Sequence, residues 1–227
     1  GPGLQCQNLP QVEPTLTGLT EGQLRLWQEL DDTPTDFVLY GGVAIALRFG
    51  HRYSADFDFF SQVEFDPQTL YNSIPYLKNS DVLQAGKNTL TCSVNRGEAV
   101  KISFFGLPEF RTVQEPETVA GRQIKVASLL DLAGTKAAVL QKRAAARDYI
   151  DLDVLLTRGG VGLVDALTVA RKAYGPFFNP QITLKALCYY GDGDLMTVPP
   201  DVRDRLMTNV ANADLARLLE QIGESES

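Results

Sequence analysis

The hydrophobic pattern changes about halfway along the 227 residues of the chain. In the first half, short apolar runs and alternating positions predict strands at 37–40, 56–60 and 124–126 and a hairpin at 89–105. Apolar residues at helical spacing predict helices between Thr20 and Pro34, over 43–49 and over 66–80. After residue 127 the pattern is helical, with helices predicted at 128–146, 147–157, 163–174, 182–190 and 201–222.

This order of elements predicts two domains. The first, over residues 20–126, is expected to be an α/β core with a small mixed sheet and flanking helices. The second, over residues 127–223, is expected to be α-helical, and Ser128 with Asp131 gives its first helix a start that resembles a capping box.

Two aspartates stand one residue apart on the second predicted strand. Because side chains alternate along a strand, Asp56 and Asp58 point to one face, and Phe57 and Phe59 point to the other. Two carboxylates on one face repel each other unless a cation lies between them, and Mg²⁺ binds one or two carboxylates together with substrate phosphates. An edge strand with two solvated acids is the alternative, but the apolar flanks favour a buried strand, in which unpaired acids are unfavourable.

Gly41 and Gly42 lie where the first predicted strand passes into a helix. Glycine lets the backbone approach a ligand closely, and the free N–H groups of a helix N-terminus bind phosphate. A plain tight turn explains the two glycines alone, so the signal is the combination of strand, Gly-Gly, helix and a strand with paired aspartates.

This combination resembles the nucleotidyltransferase AbiEii/AbiGii toxin family of the polymerase-β-like nucleotidyltransferase superfamily. The matching residues are Gly41-Gly42, Ala46-Leu47-Arg48, His51-Arg52, Ser54, Asp56 to Phe60, Val100 to Phe105, and Ser128 to Leu156. The resemblance implies a polymerase-β-like core in which Gly41 and Gly42 hold the triphosphate and Asp56 and Asp58 bind Mg²⁺. Arg52 and Ser54 are further candidate phosphate contacts near the paired aspartates.

A cationic stripe is predicted on the helix that follows Ser128. At ~100° per residue, Lys136, Arg143 and Arg147 lie within about 20° of one face, with Asp151 roughly 60° and Asp148 roughly 120° from it. Such a stripe can bind phosphates opposite the metal, or it can be a solvated face with ordinary ion pairs, including an i,i+4 pair of Arg147 with Asp151. The resemblance implies an active-site lysine, matched by Lys136, and a later aspartate that assists the acceptor or the metal, matched by Asp151 with Asp148 as its rival.

One position departs from the superfamily pattern. Relatives commonly carry a third carboxylate on a later strand, where this chain has Ser103, and Glu98 is expected to face away because its spacing from Ser103 is odd. One Mg²⁺ is therefore expected rather than two. His51, the only histidine, is expected to cap the end of the preceding helix, with contact to substrate or Ser54 as the alternative.

Composition limits the classes of partner. The net charge is −7, and proteins that bind long nucleic acid through many phosphates are usually basic, so a nucleic-acid contact would have to be a local basic site. Three scattered cysteines, Cys6, Cys92 and Cys188, predict a reduced cytoplasmic protein without disulfides or a zinc site. No apolar run is long enough to cross a membrane.

The expected activity is Mg²⁺-dependent transfer of a nucleoside monophosphate from an NTP to an acceptor, with pyrophosphate leaving. The resemblance implies the toxin of a bacterial toxin–antitoxin pair, with a tRNA end as acceptor and a cognate antitoxin protein as partner. Two alternatives stay open: transfer to a small molecule, and a catalytically silent module that binds a nucleotide or a partner.

Overall fold

The computed structural model describes residues 10–225, which form an eight-stranded mixed sheet with helices packed against it. The strands are β1 (Gln11–Val12), β2 (Val38–Tyr40), β3 (Asp56–Ser61), β4 (Asp81–Gly86), β5 (Thr89–Asn95), β6 (Ala99–Gly106), β7 (Glu117–Val119) and β8 (Lys125–Val126). The α-helices are α1 (Glu21–Trp27), α2 (Gly41–Phe49), α3 (Pro67–Ser73), α4 (Leu129–Val139), α5 (Ala146–Thr157), α6 (Leu163–Tyr174), α7 (Pro180–Ala186), α8 (Pro200–Ala211) and α9 (Leu215–Ser225). All described strands precede residue 127, which confirms the predicted α/β core followed by a helical part.

The sheet places the paired aspartates near its centre. The strand order is β1-β7-β8-β2-β3-β6-β5-β4, so β3 lies between β2, to which it is antiparallel, and β6, to which it is parallel. In this register Asp58 lies opposite Tyr40 on β2 and Ser103 on β6. Phe57 and Phe59 are buried in the core on the opposite face, as the alternation predicted.

The helical part packs near the paired aspartates of β3. Helix α2 leaves β2 without an intervening loop and contacts β3, α4 and α5. Helix α4 also packs along α6, where Gly134 meets the side chain of Val169 so closely that a larger residue at 134 would not fit. These contacts bring α4 and α5 over the face of β3 that carries Asp56 and Asp58.

Local signals for helix starts are confirmed. Thr20 and Gln23 form a capping box at α1, and the Asp66 side chain accepts the Thr69 N–H at the start of α3. The Ser128 hydroxyl accepts the Asp131 N–H at 3.0 Å and donates to the Asp131 carboxylate at 2.8 Å. Each cap lies within three residues of its partner, so the sequence carries it locally.

Several predicted boundaries are wrong. The helix predicted over 128–146 ends at Val139, and residues 140–145 form a turn before α5. The helix predicted over 66–80 ends at Ser73, because Pro75 lacks an N–H and restricts the residue before it. The segment predicted as one helix over 201–222 is two helices, and Asp214 accepts the Arg217 N–H in the first turn of the second.

Other elements differ in length or were not predicted. The helix expected over 182–190 is α7, which starts two residues earlier and ends at Ala186. Strands β1, β4 and β7 were not predicted, and all six residues of β4 are exposed. Among residues 10–225, no helix is long and apolar enough to cross a membrane. Cys92 and Cys188 are free thiols, and Cys6 lies outside the described residues.

Candidate active site

A cavity of about 470 Å³ lies between the Gly-Gly end of α2, strand β3 and the α4–α5 turn. Its lining includes most of the residues that the sequence singled out: Gly41, Gly42, Arg52, Ser54, Asp56, Asp58, Lys136, Arg143 and Arg147. Tyr53, Phe60, Thr135 and Tyr174 complete much of the wall. Asp151 does not line the cavity; its side chain is buried beneath it.

Asp56 and Asp58 form a pair of half-buried carboxylates on one face of β3. Within residues 10–225, neither carboxylate accepts a hydrogen bond or forms an ion pair. Burial, followed by the negative charge of Asp56, raises the pKa of the Asp58 carboxyl. The nearby charges of Lys136, Lys101 and Arg143 offset this increase only in part, so the pair remains a concentration of negative charge.

No third carboxylate joins this pair in the part of the chain that the structure describes. Ser103, beside Asp58 on β6, is buried, and its hydroxyl lies 2.9 Å from that of Thr91. The Glu98 carboxylate is turned toward α1, where it accepts the Gly22 N–H at 2.9 Å. Glu98 thus faces away from the pair, as predicted, although it precedes β6 and is not part of the strand.

The two carboxylates fit a divalent cation such as Mg²⁺. They offer hard oxygen donors that no described protein group occupies, which is the donor type that Mg²⁺ prefers. Two carboxylates leave most of an octahedral shell to water and to phosphate oxygens of a ligand. The arrangement therefore fits an ion that is bound jointly by the protein and a triphosphate.

The backbone at Gly41 and Gly42 lies close to side chains of the site. Gly41 has a φ of 72°, and a Cβ at this position would lie 2.8 Å from Asp58 Oδ2. A Cβ on Gly42 would overlap the guanidinium of Arg52 and lie 2.6 Å from Ser54 Oγ. No side chain caps the N-terminus of α2, so its first N–H groups are left for a ligand.

Substituting Gly41 with alanine tests this close approach. We expect Gly41→Ala to lower the free energy of unfolding by about 1–2 kcal/mol, because φ is positive, and to lower nucleotide transfer further by displacing Asp58. Gly121→Ala is the matched control, since Gly121 has the same φ of 72° but no atom within 4 Å of its Cβ position. Urea denaturation measures the loss of stability, and the transfer rate measures the further loss of activity expected in Gly41→Ala alone. Equal losses of activity in the two variants would contradict the proposed close approach of Gly41 to Asp58.

The wall opposite the carboxylates is cationic. Lys136 Nζ lies 2.8 Å from Asp151 Oδ2 and 3.0 Å from Asp148 Oδ1, and only 8% of its side chain is exposed. Arg143 donates two hydrogen bonds to Asp148, at 2.7 and 2.9 Å. Arg147 is exposed and, among the described residues, has no ion pair, so its predicted pairing with Asp151 is wrong. The three cations share the cavity although α4 and α5 are separate helices.

The buried carboxylate of Asp151, beneath the cavity, contacts His51, Arg52 and Lys136. Its Oδ1 lies 2.7 Å from His51 Nε2 and 2.7 Å from Arg52 Nε, and its Oδ2 lies 2.7 Å from Arg52 Nη2. Burial by itself would raise the pKa of Asp151, but the hydrogen bonds from Arg52 and His51 and the charge of Lys136 hold that pKa well below its usual range.

The expectation that Asp151 assists the acceptor or the metal is therefore corrected. Both of its oxygens are already engaged, its side chain has no exposed area, and its lowered pKa makes it a poor proton acceptor. Asp148 is equally buried, and the hydrogen bond from Arg143 and the charge of Lys136 outweigh burial and lower its pKa. Both aspartates form ion pairs with cations of the site.

Sequence reasoning missed the main role of His51. Gly50, in the left-handed conformation, ends α2, and His51 instead reaches Asp151. Tyr174 also lines the cavity, and burial raises its pKa to about 12. Tyr174 is the last residue of α6, and its place at the cavity depends on how α6 packs against other elements, which the sequence pattern does not give.

The fold and the cavity define a nucleotidyltransferase core: paired aspartates on a central strand beside a Gly-Gly helix start, faced by cations. The chain belongs to the AbiEii nucleotidyltransferase toxin family, since residues 25–226 match the family described as "Nucleotidyl transferase AbiEii toxin, Type IV TA system". Nucleotidyltransferases of this family generally use a divalent metal.

Two further proteins are similar to the chain. An uncharacterized protein of Aquifex aeolicus is 33% identical over 161 residues, which cover 69% of this chain and 75% of that protein. The nucleotidyltransferase toxin MenT4 of Mycobacterium tuberculosis has a TM-score of 0.56 over 87% of this chain and 82% of its own, at 14% identity. At that identity, the likeness to MenT4 shows a shared fold.

Proposed function

We propose that the protein transfers a nucleoside monophosphate from an NTP to an acceptor in a Mg²⁺-dependent reaction, as the toxin of a bacterial toxin–antitoxin pair. The observation that carries the proposal is the single cavity in which Asp56 and Asp58, without protein partners in the described chain, face Lys136, Arg143 and Arg147. Negative charge for a metal and positive charge for phosphates are what a metal-bound triphosphate requires.

Each wall of the cavity has its own part in this proposal. Asp56 and Asp58 hold Mg²⁺, which when bound neutralises charge on the phosphates. The first N–H groups of α2, at Gly41 and Gly42, receive phosphate oxygens. Arg147 supplies unpaired positive charge to the leaving pyrophosphate. In this division, residues 20–126 supply the metal ligands, the backbone contacts and Arg52, and residues 127–223 supply Lys136, Arg143 and Arg147.

The remaining predicted residues orient the cations or contact phosphate. Asp151 keeps Lys136 and Arg52 oriented toward the cavity, and Asp148 does the same for Lys136 and Arg143. Three N–H groups of Arg52 are already engaged, by Asp151 and the Tyr53 carbonyl, so only its outer N–H groups near Gly42 are left for a phosphate. Ser54, under Gly42, is a further phosphate contact.

The acceptor in this proposal is an RNA end, such as that of a tRNA. As a toxin, the protein would be encoded together with a cognate antitoxin protein and would act in the bacterial cytoplasm. Membership of a toxin family supports the biological role. The net charge of −7 requires that RNA contact be confined to a local basic surface.

The decisive experiment incubates the protein with each α-labelled NTP, Mg²⁺ and total RNA. We expect one NTP to label RNA, and the label to be lost in Lys136→Met, because the buried ammonium of Lys136 serves both the cavity and its two aspartates. Lys87→Met is the control, since Lys87 is 81% exposed on the β4–β5 turn. Label on a small molecule would favour that alternative acceptor, and NTP binding without any transfer would show a silent module; either result would contradict the proposal.

A further inference from the structure

Two segments beside the catalytic cavity carry no acidic residue, although the chain has 28 aspartates and glutamates. Residues 132–147 contain four cations and no acid, and residues 166–191 are likewise free of acids. The two segments pack together: Gln141 Nε2 donates to the Asn179 carbonyl at 2.6 Å, and the Thr183 hydroxyl donates to the Ala137 carbonyl at 2.8 Å. Two packed segments of an acidic protein thus contribute cations and no acids of their own beside the active site, and the acids that contact them come from outside, as Asp148 does at Arg143 and Asp194 at Ala146.

An exposed phenyl ring stands on the second of these segments. Phe177 is 94% exposed, whereas its neighbour Phe178 is 3% exposed. Gly175, with a φ of 72°, ends α6, and the Phe178 N–H donates to the Gly175 carbonyl at 3.1 Å, so Phe178 turns inward and Phe177 outward. The phenyl ring of Phe177 buries almost no area in the fold, so folding does not explain an aromatic residue at this position.

The ring lies close to the mouth of the cavity. Tyr174 lines the cavity, and Phe177 follows it by three residues, a span of at most about 11 Å. Lys142 Nζ lies 6.0 Å from the centroid of the Tyr174 ring. Lys142 is exposed and has no ion pair within residues 10–225, so its charge is free for a ligand.

We propose that Phe177 and Lys142 form a docking site, outside the catalytic cavity, for unpaired bases of an RNA acceptor. An exposed ring that stacks on a base, next to cations that follow the phosphates, is the arrangement by which proteins hold single strands without reading their sequence. The site rests on the proposed function, in which the acceptor is an RNA end. Its charge is complementary to a polyanion, and stacking favours bases over an acidic peptide.

The test measures fluorescence anisotropy of a labelled single-stranded RNA of about ten nucleotides with the full-length protein. We expect Phe177→Ala to weaken binding about fivefold or more, and Phe177→Trp to retain it, because stacking needs the aromatic face. Lys142→Ala should lower the slope of log affinity against log salt by about 0.7, the contribution of one phosphate contact. Leu219→Ala (68% exposed, on α9) and Lys87→Ala should leave both quantities unchanged.

The outcomes separate this site from the proposed function. RNA binding that is unchanged in Phe177→Ala, or that is equally tight for an acidic peptide, overturns the docking site. Binding of a fluorescent NTP with Mg²⁺ should be the same in Phe177→Ala as in the wild type. Transfer that persists in Asp58→Asn overturns the proposed function, whatever the RNA affinity of the Phe177 variants.

Discussion

Replacing Asp58 with asparagine should abolish nucleotide transfer and yet raise the melting temperature of the protein in metal-free buffer. The loss of activity should be about 10³-fold or more, because a metal contributes several kcal/mol of charge stabilisation to a transferring phosphoryl group and each ~1.4 kcal/mol is tenfold. The gain in stability follows from the raised pKa of Asp58, whose ionised form is disfavoured by burial and by Asp56.

The sign of the pH dependence follows from the same shift. A carboxyl whose pKa is raised on folding keeps its proton longer in the folded state, so its ionisation lowers stability as pH rises above the unfolded value of 3.8. The advantage of Asp58→Asn should therefore be present at about pH 7 and vanish below about pH 4. Mg²⁺ should raise the melting temperature of the wild type and not that of Asp58→Asn.

The matched control is Asp204→Asn, which removes an exposed aspartate on α8 that has no ion pair among the described residues. It should change neither activity nor the response to Mg²⁺. A wild-type melting temperature that is insensitive to Mg²⁺, or a destabilised Asp58→Asn variant, would contradict a metal-binding carboxylate pair.

The strand, Gly-Gly turn and paired aspartates were predictable because their determinants are local. Alternation decides that Asp56 and Asp58 share a face, and the close approach of Gly41 to Asp58 requires a residue without a side chain. The helix caps at Thr20 and Ser128 are local as well. Strand β4 was not predictable, since none of its residues is buried and it forms only by pairing with β5.

The break between α4 and α5 could not be read from a run of alanines with good helix propensity. Helix α5 begins at Ala146 because the Asp194 carboxylate, from a distant loop, accepts its N–H at 2.7 Å. Arg143 lies between the two helices rather than within one, and its Nε donates to Asp148 Oδ2 at 2.7 Å. Both determinants are side-chain contacts of the folded structure, and neither has a pattern in the sequence.

The partners of Asp151 were likewise not predictable, because His51 and Arg52 lie about a hundred residues before it. Helical spacing suggested Arg147 as its partner, since residues four apart on a helix are neighbours. Packing of α2 against α5 decides otherwise, because it brings the residues after α2 to a buried carboxylate that must find partners. Helical spacing therefore gives the wrong partner here, because a buried carboxylate binds the hydrogen-bond donors that tertiary packing places beside it.

Replacing Asp151 with alanine should be the most destabilising change in the cavity region. Asp151 is the common partner of His51, Arg52 and Lys136. Removing it leaves the guanidinium of Arg52 without a carboxylate and Lys136 with Asp148 alone, for which we expect a loss of about 3–5 kcal/mol in the free energy of unfolding. Asp153→Ala, on the same helix, is the matched control: its partner Arg205 is 42% exposed, so we expect about 1 kcal/mol or less. Urea denaturation at about pH 7 measures both losses.

The dependence on pH distinguishes a charge effect from a packing effect. Because folding lowers the pKa of Asp151, its contribution is present above the unfolded value of 3.8 and is lost as pH falls below it. The difference in stability between wild type and Asp151→Ala should therefore shrink toward about pH 3, whereas a cavity left by lost side-chain volume would persist at every pH. A difference that does not change with pH would show that Asp151 fills space rather than holding the cations. In that case Lys136 and Arg52 should keep their positions, and nucleotide transfer should survive the substitution.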